Sequence, residues 1–404
     1  MPDTSKIVLV GGGVASASTA RELRAQGFDG SITLVTRELD KPYHRPPITK
    51  ALLSDSGDHL VDVATPSFWD EHDVEVLTRS AVSVINRDEQ IITLINKTVL
   101  PYDRALIATG ANVRRLNIDG AALEGIHYLR TPANAHKLRA EAADATHAVL
   151  VGGSFIAVEA AASLTSRGVR CTLVMQESRC LERTFGSTVA TYVETILRSH
   201  GIEVVANTDV AAFTGDSRVT GVRTADGRQI NGDLVVVGVG AVPDTKLAAK
   251  SGLEIGPTGG VACDGQLRTS DRRIYAAGDM CEYVSGVHGR SIRVEHEKHA
   301  ISQGVTVARN MLGSGLDHTE VPYFWTEISD WITLESVGPA REWDEELITG
   351  SVDDGVFTVW YLQGGRLVAA VTSGRPHDLD VARELIADHP AETDRVRDVL
   401  TARV

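Results

Sequence analysis

One local pattern occurs twice in this chain. The apolar run Ile7-Val8-Leu9-Val10 breaks into Gly11-Gly12-Gly13-Val14-Ala15-Ser16, and Ala148-Val149-Leu150-Val151 breaks into Gly152-Gly153-Ser154-Phe155-Ile156-Ala157. A strand that ends in such a turn and opens a helix aims backbone N–H groups and the positive end of a helix dipole at one point. That arrangement holds a pyrophosphate. Each turn needs a β-α-β unit with a right-handed crossover behind it, so an α/β chain with two Rossmann-type dinucleotide-binding domains is expected. A pair of such sites usually takes a flavin and a nicotinamide.

At 404 residues the chain exceeds one core, and two or three domains are expected. Apolar content of 43% and charged content of 23% are those of an ordinary soluble globular protein. The net charge of −14 argues against nucleic acid, whose binding needs a basic face. No run approaches ~18 apolar residues, so no membrane span is read. No charged-then-apolar leader opens the sequence, and the chain is read as cytoplasmic. Its four cysteines, Cys171, Cys180, Cys263 and Cys281, form no C-x-x-C pair and no metal cluster. None lies in 41–50, where a disulfide-reducing flavoprotein needs one, so they are read as buried, inert thiols.

The pattern around the first turn predicts a helix over 17–26 and a strand over 32–35, then strands over 82–85, 91–94 and 104–110. Around the second it predicts a helix over 155–166, a strand over 171–174, an amphipathic helix over 189–199 and a buried strand over 233–240. A strand from 274 leads to Gly278-Asp279, and a helix over 300–312 ends at Gly313. The last stretch alternates strands over 357–361 and 367–370 with terminal helices, a small α+β domain.

In the first turn Gly11 permits the bend, Gly13 lets a pyrophosphate approach, and Ser16 replaces the third glycine with a small side chain. Glu38, after the second strand, offers a carboxylate to ribose hydroxyls; its neighbour Arg37 has no evident role. In Arg45-Pro46-Pro47-Ile48-Thr49-Lys50 two prolines fix the backbone between cations. Lys50 is expected to begin a helix beside the flavin ring, where a cation favours the anionic reduced form and raises its potential.

With these residues in view the chain resembles the FAD-dependent ferredoxin reductases, putidaredoxin/rhodocoxin-reductase-like, that serve bacterial cytochrome P450 and Rieske-oxygenase systems. The apoptosis-inducing-factor oxidoreductases are related to them. The resemblance runs through 10–15, 42–50, 86–88, 102–110, 129–131, 238–245, 274–279 and 322–326. It implies a glutathione-reductase-like three-domain flavoprotein. Residues 1–112 and 243–319 would form the FAD-binding domain, 113–242 the NAD(P)-binding domain, and 320–404 a C-terminal α+β domain. FAD would meet Gly11, Gly13, Ala15, Ser16, Glu38, Arg45, Lys50, Val82, Ala108, Gly110, Arg130, Asp279 and Glu297. Asp279 would hydrogen-bond the ribityl chain from a helix N-terminus, where a carboxylate is favoured. Gly152, Ser154, Phe155, Ile156, Met175 and Gly240 would line the nicotinamide dinucleotide site. Lys50, Glu159 and Trp325 would flank the reacting rings, with Lys50 and Glu159 as a buried pair. Trp325 and Trp331 lie in the segment that, in the family, reaches the flavin and borders the ferredoxin docking face.

Three positions depart from the family pattern. Ser154 stands where a glycine lets the pyrophosphate approach, Met175 where a glutamate holds the NADH ribose (a role that Gln176 or Glu177 could take with a shifted backbone), and Glu297 where Trp or Val is common. The family often has a polar residue at His296 without acid–base chemistry. The resemblance thus implies electron transfer from NADH or NADPH through FAD to a [2Fe–2S] ferredoxin, with a weakened or non-discriminating nicotinamide site. Two alternatives on the same scaffold stay open: an FAD-dependent oxidase or dehydrogenase of a small organic substrate, and a redox-sensing NADH-binding flavoprotein. Oligomeric state is not read.

Overall fold

The computed structural model describes residues 5–54, 60–339, 342–387 and 398. The chain divides into two compact units, one of residues 1–44, 61–112 and 242–324, the other of residues 45–60, 113–241 and 325–404.

In the first unit β1 (Lys6–Val10), α1 (Val14–Ala25) and β2 (Ser31–Val35) form the β-α-β unit, with β1 and β2 parallel from Lys6 opposite Ser31 to Val10 opposite Val35. The sheet runs Ile274–Ala276, Arg104–Ile107, β1, β2, Val74–Leu77, all parallel. Its inner strands are continuous apolar runs because both faces are covered; Ile7 to Val10 and Ala105 to Ile107 are all buried. α1 is buried all round its first two turns, from Val14 to Ala20, where Ala15, Ser16, Ala17, Ser18, Thr19 and Ala20 are small. Such small side chains let the helix Glu297–Met311 come close, and a Cβ on its Gly304 would strike the Ala15 carbonyl. The Thr19 hydroxyl lies 2.9 Å from the Ala15 carbonyl and 3.0 Å from that of Gly304, stitching the two helices together.

The second unit repeats the plan with β3 (His147–Val151), α2 (Phe155–Ser166), β4 (Arg170–Val174) and α3 (Glu182–Ser199). The parallel sheet runs Glu203–Val205, β4, β3, Leu234–Val237, Ile126–His127. A further five-stranded sheet runs Tyr323–Ile328, Ile332–Val337, Arg366–Ser373, Val356–Gln363, Glu345–Ser351, followed by the helix Pro376–Ala387. The second terminal helix expected from the sequence lies outside the described residues.

Several expected boundaries move for identifiable reasons. α3 begins at Glu182, not near 189, because Gly186 (φ 73°) kinks the helix and hides its first turn from the apolar periodicity. The strand within 233–240 is only Leu234–Val237, and that expected over 104–110 stops at Ile107 before Gly110 turns to φ 69°. Lys50 does not begin a helix: Pro46–Thr49 form a single 3₁₀ turn, and Lys50 closes it. Asp279 is not at a helix N-terminus but in a turn between Ile274–Ala276 and Cys281–Ser285. Among the described residues no helix is long and apolar enough to cross a membrane.

Candidate functional site

At the first turn the Gly11 N–H donates to the Val35 carbonyl at 2.8 Å. Gly11 has φ +123°, and a Cβ there would collide with the Ala108 carbonyl. A Cβ on Gly12 would collide with the Thr36 side chain. Gly13 caps α1 in an extended conformation (φ −91°, ψ 177°), and a Cβ on it would meet no atom within 4 Å. The helix has no side-chain cap and no acidic residue in its first turn, so no side chain of that turn takes its leading N–H groups. Ala15 and Ser16 lie buried behind the turn, and the Ser16 hydroxyl is without a partner among the described residues. An uncapped helix end beside an open cradle fits the pyrophosphate of FAD.

The other first-unit candidates have partners of their own. The Tyr43 hydroxyl donates to the Glu38 carboxylate at 2.6 Å. Arg37, which the sequence left without a role, donates to Asp244 at 2.9 Å and Asn112 at 2.7 Å. Ala108 continues the ladder, its N–H on the Val10 carbonyl at 2.7 Å, and the Gly110 carbonyl accepts the Asp244 N–H at 2.8 Å. Val82 is half-buried in an antiparallel strand. The Asp279 carbonyl accepts from Arg293 at 2.8 Å. Glu297 opens its helix, at the positive end of the dipole, with Oε1 3.1 Å from His44 Nδ1. The His296 ring stacks on Phe324 with centroids 4.1 Å apart, and burial pushes its pKa down to about 4. It is therefore neutral at physiological pH, a poor proton donor.

The second turn copies the first in backbone. The Gly152 N–H donates to the Val174 carbonyl at 2.8 Å, and a Cβ on Gly152 (φ +119°) would collide with the Gly238 carbonyl. Ser154 caps α2 at φ −98°, ψ 179°, nearly the conformation of Gly13. Its Oγ donates not to the helix but to the Gly238 carbonyl at 3.0 Å, so α2 also keeps uncapped N–H groups and has no acid in its first turn. These features fit a second dinucleotide, with a cradle narrowed by one hydroxymethyl group. Phe155 packs edge-on to Phe185, centroids 5.8 Å apart, and Ile156 is half-buried beside it in sequence. The Gly240 carbonyl accepts the Arg114 N–H at 3.0 Å. Met175 is 2% exposed and takes the Cys180 thiol on its sulfur at 3.7 Å.

Behind α2 the second unit assembles a charge centre. Lys50 Nζ lies 2.7 Å from Glu159 Oε1, with side chains 16% and 8% exposed. Thr326 donates to Oε1 at 2.6 Å and Thr49 to Oε2 at 2.5 Å, so both carboxylate oxygens are satisfied. Ser163 anchors the Thr49 carbonyl at 2.8 Å. Lys50 Nζ also stands 5.2 Å from the Trp325 ring centroid, within cation–π range. Arg45 holds the same loop through the Arg130 carbonyl at 3.0 Å. The structure thus brings Lys50, Glu159 and Trp325 together. Trp331 instead stacks on His200, centroids 3.9 Å apart. Sequence reasoning missed Thr49 and Thr326, although each adjoins a singled-out residue; a hydroxyl beside a buried charge is the signal that would have found them.

All four cysteines are buried, and burial raises the thiols of Cys171 and Cys180 to about 11 and about 12. Thiols so protonated are poor nucleophiles.

Residues 5–304 match the family model described as pyridine nucleotide-disulphide oxidoreductase, and residues 323–401 the one described as reductase C-terminal. Rhodocoxin reductase of Rhodococcus erythropolis is 35% identical over 94% of this chain and 89% of its own. Putidaredoxin reductase of Pseudomonas putida is 31% identical over 98% and 96%. The crystal structure of a covalent putidaredoxin reductase–putidaredoxin complex superposes with a TM-score of 0.91 at 30% identity, covering 99% of each chain.

Proposed function

This chain belongs to the pyridine nucleotide-disulphide oxidoreductase family, and we propose that it passes electrons from NADH or NADPH through FAD to a [2Fe–2S] ferredoxin serving a cytochrome P450 or Rieske oxygenase. The observation that carries the reading is the pair of turns with matching backbone, each opening a helix whose N–H groups no side chain caps. FAD held there would supply two-electron uptake from a nicotinamide and one-electron release to an iron–sulfur acceptor.

The chain's own residues bind, orient and tune. Gly11, Gly13 and the start of α1 hold the FAD pyrophosphate, and Ala108 and Gly110 line the neighbouring strand end. Lys50, fixed by Glu159, carries the positive charge that, by the family resemblance, would favour the reduced flavin. Trp325 stands within cation–π range of that charge, and Thr49 and Thr326 hold the Glu159 carboxylate in place by donating to it. No cysteine is available to relay electrons, so an external acceptor fits better than a disulfide. The names of the relatives, rhodocoxin reductase and putidaredoxin reductase, support a small iron–sulfur protein in that role. A cytoplasmic location goes with this reading.

The test is anaerobic mixing of the flavin-loaded protein with NADH, then with an oxidised [2Fe–2S] ferredoxin. Bleaching of the flavin followed by bleaching of the ferredoxin is expected. A flavin that stays oxidised with both nucleotides, yet bleaches with an organic substrate, would replace this reading with the oxidase one.

A further inference from the structure

We infer that Glu177 takes the adenosine ribose of the nicotinamide dinucleotide and makes the second turn selective for NADH over NADPH. The inference rests on reading that turn as the nicotinamide site.

A dinucleotide turn of this kind places the ribose of the adenosine half near the end of the second strand. A carboxylate there accepts from the 2′-hydroxyl, and a basic group there welcomes a 2′-phosphate. By sequence the acidic position is Met175, which removes the carboxylate and leaves the choice of nucleotide open. The structure relocates the question. Met175 does not face a ligand: it is 2% exposed, and a Cβ on Gly153 would lie 2.6 Å from its sulfur. It fills the floor under the turn. Gln176 turns away onto Asp209. Glu177 is the residue that comes back: the same Cβ position on Gly153 lies 3.3 Å from Glu177 Oε2. The carboxylate therefore sits at the glycine turn itself, two positions later in sequence than expected.

The detour is held in place. The Thr208 N–H donates to the Met175 carbonyl at 2.9 Å and the Asn207 N–H to the Glu177 carbonyl at 3.0 Å. Glu177 Oε1 lies 3.1 Å from Arg183 Nε, which leaves Oε2 as the oxygen toward the turn. The same contact decides the sign of selectivity. Two arginines stand close in sequence, Arg179 and Arg183, and either could greet a phosphate. Arg183 is on Glu177, and Arg179 lies 3.6 Å from Glu182. A 2′-phosphate would meet an anion at the turn and arginines already facing carboxylates, whereas a 2′-hydroxyl has an acceptor waiting.

The experiment measures binding rather than turnover. Flavin-loaded protein is titrated by calorimetry with ADP-ribose and with 2′-phospho-ADP-ribose, the halves that distinguish the two nucleotides and cannot reduce the flavin. ADP-ribose is expected to bind at least about tenfold tighter. Glu177→Ala and Glu177→Gln should each weaken ADP-ribose by about tenfold and narrow or reverse the preference, as Arg183 is released. Met175→Ala should leave the preference unchanged. Affinities for the two probes within twofold in the unmodified protein, or an unchanged ratio in both Glu177 variants, would overturn the inference. If neither probe binds, the nicotinamide reading of the turn falls, and the inference with it.

Discussion

The two glycine turns share a backbone and differ in what their side chains leave open. Gly11 and Gly152 adopt the same left-handed bend against a facing carbonyl, and Gly13 and Ser154 cap their helices in the same extended conformation. Above Gly13 there is no atom within 4 Å of a Cβ; at Ser154 a side chain occupies that volume and ties itself to Gly238. The strand ends diverge too. Glu38 accepts from Tyr43, whereas Glu177 pairs with Arg183 after a buried methionine. A tightly held prosthetic group calls for the open, rigid cradle. A substrate that comes and goes tolerates a tighter one, since its affinity need only match its working concentration.

The sharpest way to break this comparison is to add one methyl group to each bend. Gly11→Ala forces a Cβ into the Ala108 carbonyl at a φ that L-residues avoid, and about 4 kcal/mol or more of destabilisation is expected. The product should purify without flavin, as its absorbance spectrum reports. Gly152→Ala meets the Gly238 carbonyl in the same way. It should keep the flavin and lose nicotinamide binding. Equal loss of flavin in both variants would show that the turns do not divide the two nucleotides between them.

The second unit's charge centre comes next. Removing Glu159 leaves Lys50, among the described residues, beside the Trp325 ring, and Glu159→Ala should cost about 3–5 kcal/mol in urea unfolding. Lys50→Met should cost less, because Thr49 and Thr326 still donate to the carboxylate. It should also lower the flavin's midpoint potential and slow its reduction by NADH. An unchanged potential would mean that Lys50 serves the fold alone.

Acid should test the first unit. His299 and His318 are buried with centroids 5.0 Å apart, and burial depresses both, His318 to about 4. Their unfolded value is near 6.5, so the unfolded chain binds the extra protons between the two values. Stability is then fully present above about pH 6.5 and is lost as pH falls toward about 4, on the order of 3 kcal/mol for His318. Replacing His318 by Gln should flatten that part of the stability–pH curve.

The smallest effect is expected at the narrowed cradle. Ser154→Gly should tighten NADH and NADPH alike, each by a few-fold; the hydroxyl caps no helix N–H, so what is lost is its bond to the Gly238 carbonyl. A gain for only one nucleotide would show that Ser154 touches the ribose end rather than the pyrophosphate.

How much of this was legible in the sequence follows from what sequence can encode locally. The β-α-β units announce themselves because apolar runs and glycines are contiguous, and the helix Phe155–Ser166 appears with the bounds its pattern gives. The start of α3 does not, because Gly186 interrupts the periodicity with a kink that tertiary contacts stabilise. Asp279 was misplaced for a similar reason: a Gly-Asp after a strand reads equally as a helix start or as a turn leading into a strand of another sheet. The charge pair could be expected from resemblance, but its hydroxyl partners come from segments far apart in sequence, where spacing carries no information. Met175 looked like a lost ligand and is a packed floor, since only the backbone path shows which of Met175, Gln176 and Glu177 returns to the turn.

The central claim, that the first turn holds FAD and the second a nicotinamide dinucleotide that reduces it, meets its most direct test in one anaerobic titration. Flavin-loaded protein is titrated with NADH while the flavin's visible absorbance is followed. The account expects bleaching that is complete near one equivalent, with the same endpoint lost in Gly152→Ala. A flavin that remains oxidised in excess NADH, or one that Gly152→Ala bleaches as readily as the unmodified protein, would contradict it.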